Sequence, residues 1–148
     1  MALPIYRVAG TVSGNAPHAK EYTSAGTISA GEFVVLGAGG TVTAAGNDPA
    51  AVLGLATASV TTGLPVVVVH AHPDVIFSGF VATGAPVDAT DIGSQFSCDT
   101  AGVDLSDATG IAIVHGLDAT DSDATAGDRV LFSIRAAAYA GGPGGIAV

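Results

Sequence analysis

The sequence predicts a mostly β protein: a small β-barrel or sandwich-like domain with an extended N-terminal arm and little helix. Three observations point there. First, 21 Gly and 7 Pro interrupt short runs of Val, Ile, Phe and Thr. β-branched side chains suit a pleated surface, and Gly supplies the positive φ that tight turns need. Second, Glu32-Phe33-Val34-Val35-Leu36, Gly37-Ala38-Gly39-Gly40 and Thr41-Val42-Thr43 read as strand, Gly-rich turn and strand, the signature of a hairpin. Third, residues 129–135 alternate with a period of two. Val130, Phe132 and Ile134 fall on one face, and Arg129, Leu131, Ser133 and Arg135 on the other. A length of 148 residues fits one domain with a core of its own.

Taken in order, residues 1–24 hold Pro4, Gly10, Gly14, Pro17 and the few long polar side chains, and read as an extended arm with one short strand around Ile5 to Val12. The β domain spans residues 25–136. After the hairpin, strands are expected at Val52 to Ala56, at Val66 to His72 beyond the Gly63-Leu64-Pro65 turn, and at Asp74 to Val81. A second pass of the same pattern follows, so that residues 31–70 and 93–135 form a pseudo-repeat. Gly31 and Phe33 correspond to Gly93 and Phe96, Val52-Leu53-Gly54-Leu55 to Val114-His115-Gly116-Leu117, and Val66 to Val69 to Val130 to Ile134. Two such β-units would pack face to face, because one alone cannot bury its apolar side. Residues 137–148, with Gly141-Gly142-Pro143-Gly144-Gly145, form a Gly-rich tail that is entropically expensive to order without a partner.

Composition narrows the function. The formal charge is −9, and Arg7, Lys20, Arg129 and Arg135 are the only Lys or Arg residues. Displacing counterions from phosphate needs clustered cations, so neither nucleic acid nor an anionic membrane is expected as a partner. No apolar stretch approaches the roughly 20 residues of a membrane-crossing helix. No basic segment leads into an apolar run at the start, so a secretory signal is not expected. A single Cys98 excludes an internal disulfide framework.

Each chemical motif has a plainer reading. Val34 to Gly40 resembles a dinucleotide-binding turn, but Val42 stands where a small residue is required and a strand follows where a helix is needed. His70 and His72 sit two apart in a strand, yet a zinc site needs three or four ligands together, so no metal is expected. Asp118, Asp121, Asp123 and Asp128 cluster in an acidic loop whose glycine falls at the wrong position for a calcium hand. There is no Gly-x-Ser-x-Gly elbow, and Cys98 has no neighbouring base. The expectation is a non-enzymatic protein without cofactor.

One stretch carries a resemblance. Gly26-Thr27-Ile28-Ser29-Ala30-Gly31-Glu32-Phe33-Val34-Val35, the Thr41-Val42-Thr43 strand, Asp48-Pro49-Ala50-Ala51-Val52-Leu53-Gly54-Leu55-Ala56-Thr57-Ala58, a Thr-rich turn and the Val66 to Val69 strand follow one another between Ser24 and Gly84. This order resembles the lambda-type head decoration proteins and related capsid cement proteins of tailed phages. The resemblance implies a helix-poor β domain that forms homotrimers on the outer surface of the expanded head, made in the host cytoplasm, with the major capsid protein as partner. It also implies an N-terminal segment that lies along the capsid protein. Carried over here, Ile5, Tyr6, Arg7, Val8 and Val12 would be that capsid-binding arm. The alternative expectation is another virion or surface structural module, such as a fibre base, tail component or adhesin domain.

Overall fold

The computed structural model describes residues 5–83, 92–117 and 129–139. Among these residues the chain is built of strands: β1 (Tyr6–Thr11), β2 (Ala19–Ser24), β3 (Phe33–Leu36), β4 (Thr41–Ala44), β5 (Gly54–Ala56), β6 (Pro65–His70), β7 (Val75–Thr83), β8 (Gln95–Asp99), β9 (Gly102–Asp104), β10 (Ala112–Leu117) and β11 (Arg129–Ile134). Helix is confined to 3-10 turns at Ala38–Gly40 and Ala136–Ala138. The mostly β fold with little helix is as the sequence predicts, and its form is a barrel.

There are two such barrels in tandem. In the first, the strand order β2-β4-β3-β5-β6 closes through the antiparallel β2–β6 pair. In the second, β7-β11-β10-β8-β9 closes through the β7–β9 pair. Each ring contains a single parallel pair, β2–β4 in one and β7–β9 in the other, and every remaining pair is antiparallel. Strands β2 to β6 therefore match β7 to β11 one for one. Closing each ring leaves few exposed edges, which suits a chain so rich in small and β-branched residues.

The two barrels repeat one topology from β2 and from β7 onward, which differs from the expected units 31–70 and 93–135 in where each begins, and two of the expected residue matches need correction. Val34 pairs with Gly54 and Phe96 with Ala112, so Phe96 answers to Val34 and not to Phe33. Ala56 pairs with Val68 and Val114 with Phe132, so Val114 answers to Ala56 and not to Val52. A slip of one residue moves a side chain to the opposite face of a strand. Val34 and Phe96 both point into their own barrels, whereas Phe33 points outward to the junction between the barrels. Sequence matching on the shared Phe hid this difference.

The first barrel has an interior of Tyr22, Ile28, Val34, Val42, Leu53, Ala56, Val66 and Val68. A second cluster fills the other barrel with Phe77, Phe96, Val103, Val114, Phe132 and Ile134, and runs on into the junction through Tyr6, Phe33, Val52, Leu55 and Ala71. The two barrels share this second core, so they hold each other in a fixed relation.

The expected arm over residues 1–24 is also corrected. Strand β1 is hydrogen-bonded antiparallel along β7, with Tyr6 opposite Gly79 and Thr11 opposite Val75, and a bulge between Val8 and Gly10. Strand β2 is a wall of the first barrel. β1 is drawn in because β7 is long: β11 covers one of its edges, while β1 and β9 share the other. β2 is drawn in by its pairing with β6 and β4. The end of the β domain and the start of the tail form the turn Ala136–Ala138, whose last residue accepts the N–H of Val52 at 2.9 Å. The remainder of the tail, residues 140–148, and the acidic loop with Asp118, Asp121, Asp123 and Asp128 lie outside the described residues.

Candidate functional site

Of the five residues expected to bind a capsid, four are integrated into the fold. Tyr6 is 3 % exposed. Its ring lies 4.7 Å from that of Phe33 and 5.8 Å from that of Phe132, and its hydroxyl donates to the Asp99 carbonyl at 2.7 Å. Gly79 makes room for it: a Cβ there would stand 2.5 Å from the Tyr6 ring. Ile5 and Val8 are half-buried against the same core. The Ile5 carbonyl accepts the Phe80 N–H at 3.3 Å and a guanidinium N–H of Arg129 at 3.3 Å. Arg129 is itself buried, stacks 4.0 Å from the Phe80 ring and donates to the Ser78 carbonyl at 3.2 Å, so it rivets β1 to β7. Arg7 is half-buried opposite Ser78. Val12 alone is open to a partner, with 73 % of its surface exposed.

His70 forms the most elaborate polar cluster. It ends β6 with no exposed surface. Its Nε2 lies 2.7 Å from the Tyr22 hydroxyl and its Nδ1 lies 2.6 Å from the Tyr139 hydroxyl. A neutral imidazole donates through one nitrogen and accepts through the other, so one tyrosine receives a proton bond and the other gives one. Burial holds the His70 pKa down to about 4, and repulsion from His18, whose ring packs edge-on at 4.6 Å, and from Lys20 adds to this. Burial also raises the hydroxyl pKa of Tyr22 and Tyr139. The cluster ties β2, β6 and the C-terminal turn together.

His72 does not join it as a ligand. It is exposed beyond the end of β6, and its Nδ1 accepts the Asp74 N–H at 3.1 Å. Both His70 nitrogens are engaged, and no group of three or more His, Cys, Asp or Glu side chains that could hold a metal ion occurs among the described residues. Tyr22 and Tyr139 are 48 and 69 residues from His70 in sequence. No local pattern could have announced them.

A cavity of about 200 Å³ opens between the barrels beside Tyr6, Phe33, Glu32, Cys98, Asp99 and Thr100. Its thiol and its phenol are held protonated. Burial pushes the Cys98 thiol well above its usual range and does the same to the Tyr6 phenol. A thiol in that state is a weak nucleophile. The rim is polar mortar: the Asp99 carboxylate accepts the Asp48 N–H and the Ser97 hydroxyl, and the Asn47 side-chain carbonyl accepts both the N–H and the hydroxyl of Thr100. The bonds of Asp48 to Asp99 and of Thr100 to Asn47 run from the β4–β5 loop of one barrel to the end of β8 and the turn after it in the other, and the Ser97 bond holds the Asp99 carboxylate in place. They stitch the junction.

No protein-family model matches the chain, and a comparison with curated proteins also returned no match.

Proposed function

We propose that this protein is a capsid decoration protein of a tailed phage, which binds the outer surface of the expanded head as a homotrimer and stabilises the shell. The observation that carries the proposal is the pair of small, mutually locked barrels. Their buried polar groups (His70 with Tyr22 and Tyr139, Arg129 with the Ile5 and Ser78 carbonyls) bond to one another and serve cohesion. Such a body resists deformation and presents a broad, acidic surface poor in long side chains. The segment that resembles the cement proteins, residues 24–84, coincides with most of the first barrel and β7.

A weak attachment made three times over becomes firm, because once one protomer docks the others bind at high effective concentration. Whatever binds only the expanded lattice stabilises that lattice by mass action. β1 gives one edge to β7 and is the end strand of its sheet, so an attachment through this segment uses its outer edge and the exposed Val12, while Tyr6 is committed to the core.

The test is co-sedimentation of the purified chain with expanded and unexpanded heads from the phage that encodes it, with light scattering on the free protein. A trimer that loads expanded heads in hundreds of copies and raises their melting temperature is the expected result. A protein that ignores both forms of the head overturns the proposal, and a handful of copies per particle points to a fibre base or tail component instead.

A further inference from the structure

The two barrels are equivalent strand for strand, and they differ at one edge. In the second barrel, the side of β7 away from β11 carries β9 over Val81–Thr83 and β1 over Val75–Gly79. In the first barrel, the side of β2 away from β6 carries β4 only at Thr23 and Ser24. Among the described residues nothing pairs with that side over residues 19–22. Ala19, Lys20 and Glu21 are exposed there.

The register shows which groups this edge offers. The His70 N–H bonds the His18 carbonyl, and the Ser24 N–H bonds the Leu64 carbonyl. Hydrogen bonding in an antiparallel pair alternates. Lys20 and Tyr22 therefore turn their N–H and C=O groups to β6, whereas Ala19 and Glu21 turn theirs outward. Tyr22 pairs with Val66 as Gly79 pairs with Val130, so Glu21 answers to Ser78 and Ala19 to Ile76, both of which lie on the stretch of β7 that takes β1.

We infer that the Ala19–Tyr22 edge of β2 is an acceptor site for an extended, basic segment of another protein, which adds to the first barrel as β1 adds to the second. Two features define the occupant. On β1, Tyr6 lies over Gly79 and Arg7 lies opposite Ser78. At the acceptor, Tyr22 stands where Gly79 would be and already fills the space with its own ring, so the residue facing it must be small. Glu21 stands where Ser78 would be, so the next residue of the occupant is basic and forms a cross-strand ion pair. The net charge of −9 also favours a basic segment.

A second copy of this chain is a poor occupant. Symmetric antiparallel pairing of two β2 edges in hydrogen-bonding register places Lys20 against Lys20, Glu21 against Glu21, or Ala19 against Ala19. The first two juxtapose like charges. The third requires an N–H from Pro17, which has none. The edge is thus blocked to itself and open to a complementary strand, and this holds whether or not the partner is a capsid protein.

The probe is a peptide of residues 5–12 carrying Tyr6→Gly, added up to millimolar concentration to the isotopically labelled full chain. Amide shifts centred on Ala19 and Glu21, with at least tenfold slower hydrogen exchange at those two positions, are expected. Glu21→Pro removes an outward N–H and leaves the barrel ladder intact, so it should keep its melting temperature within a few degrees and weaken the peptide at least tenfold. Glu21→Arg should weaken it severalfold, and a peptide that also carries Arg7→Glu should recover the loss. The inference is overturned if the shifts map elsewhere or are absent, if the Glu21 amide is already protected in the free protein, or if folded Glu21→Pro and Glu21→Arg proteins both bind the peptide like the parent.

Discussion

Gly31 and Gly93 occupy the same place in the two barrels. Each has a left-handed backbone, with φ of 81° and 84°. Each donates its N–H to an equivalent strand, Gly31 to the Ala56 carbonyl at 2.9 Å and Gly93 to the Val114 carbonyl at 2.8 Å. The flanking bonds repeat as well: the Ala56 N–H reaches the Glu32 carbonyl, and the Val114 N–H reaches the Ser94 carbonyl. A turn that needs positive φ therefore launches β3 in the first barrel and β8 in the second.

Replacing either glycine with alanine is expected to destabilise the protein by about 1–2 kcal/mol, the penalty for an L residue in the left-handed region. Because the two sites lie in different barrels, the double variant should show the sum of the two losses within about 0.5 kcal/mol. Urea denaturation of the three variants checks both statements. A loss confined to one glycine would mean that the turns are not equivalent.

Tyr6 and Val12 separate a structural strand from a binding arm. Tyr6→Ala should cost about 3–5 kcal/mol, as aromatic truncations in cores do, because it empties the space over Gly79 and removes the bond to Asp99. Val12→Ala should change stability by less than about 0.5 kcal/mol, since the side chain is 73 % exposed. Thermal or urea unfolding of both variants distinguishes them. Equal, small effects would return β1 to the role of a loose arm.

His70 gives the fold a pH dependence of definite sign. Its folded pKa is about 4, against 6.5 for an unperturbed histidine. The unfolded chain therefore binds a proton between these values that the folded chain refuses. The associated stability is fully present above pH 6.5 and is lost as pH falls toward 4, by on the order of 3 kcal/mol. Asp74 and Asp107 have pKa values lowered by hydrogen bonds from Ser13 and Thr109, and their contribution fades only below the usual carboxylate range. Denaturation midpoints measured from pH 7.5 to 4.5 should fall for the parent chain and stay flatter for His70→Gln. Parallel curves would show that the imidazole is not held neutral.

Tyr139→Phe should remove one hydrogen-bond partner from a buried ring nitrogen, at a cost of about 1–3 kcal/mol. It should also loosen the C-terminal turn, because Tyr139 anchors it to β6. Hydrogen exchange at Val52, whose N–H bonds the Ala138 carbonyl, reports that loosening. Unchanged protection at Val52 would show that the turn is held without Tyr139.

Cys98 is 2 % exposed and its thiol is held protonated by burial. Ellman's reagent should leave it unmodified in the native protein and react fully in denaturant. Rapid reaction under native conditions would reveal an opening of the junction beside Tyr6.

Local chemistry made the strands legible. The alternation in β11, the Gly-rich turn between β3 and β4, and the Gly-Leu-Pro turn before β6 each fix a backbone conformation with residues that are neighbours in sequence, so their positions could be read directly. The existence of a repeat was legible for the same reason, as a recurring spacing of glycines. Its register was not: Phe33 and Phe96 look alike in sequence, but the pairings of Val34 with Gly54 and of Phe96 with Ala112 decide which face each one takes.

The candidate site was harder to read. The sequence marked His70 and His72 as a pair because they are two apart, and it could not know that β6 stops between them. It also left residues 5–12 as an arm, because nothing nearby says that a ring from Tyr6 fits over Gly79 and that Arg129 fixes the strand from the far end of the chain.

The amino-acid sequence by itself determined the strand-and-turn vocabulary, the acidic surface and the helix-poor class, since these depend on side-chain shape, backbone freedom and charge within a few residues. Tertiary structure decided that the strands close into two barrels, that β1 belongs to the second of them, and that among the described residues β2 keeps an open edge. The physical reason is that closure and edge pairing are contacts between segments dozens of residues apart, and their energy depends on which backbone groups are left over once every other strand has found its neighbour.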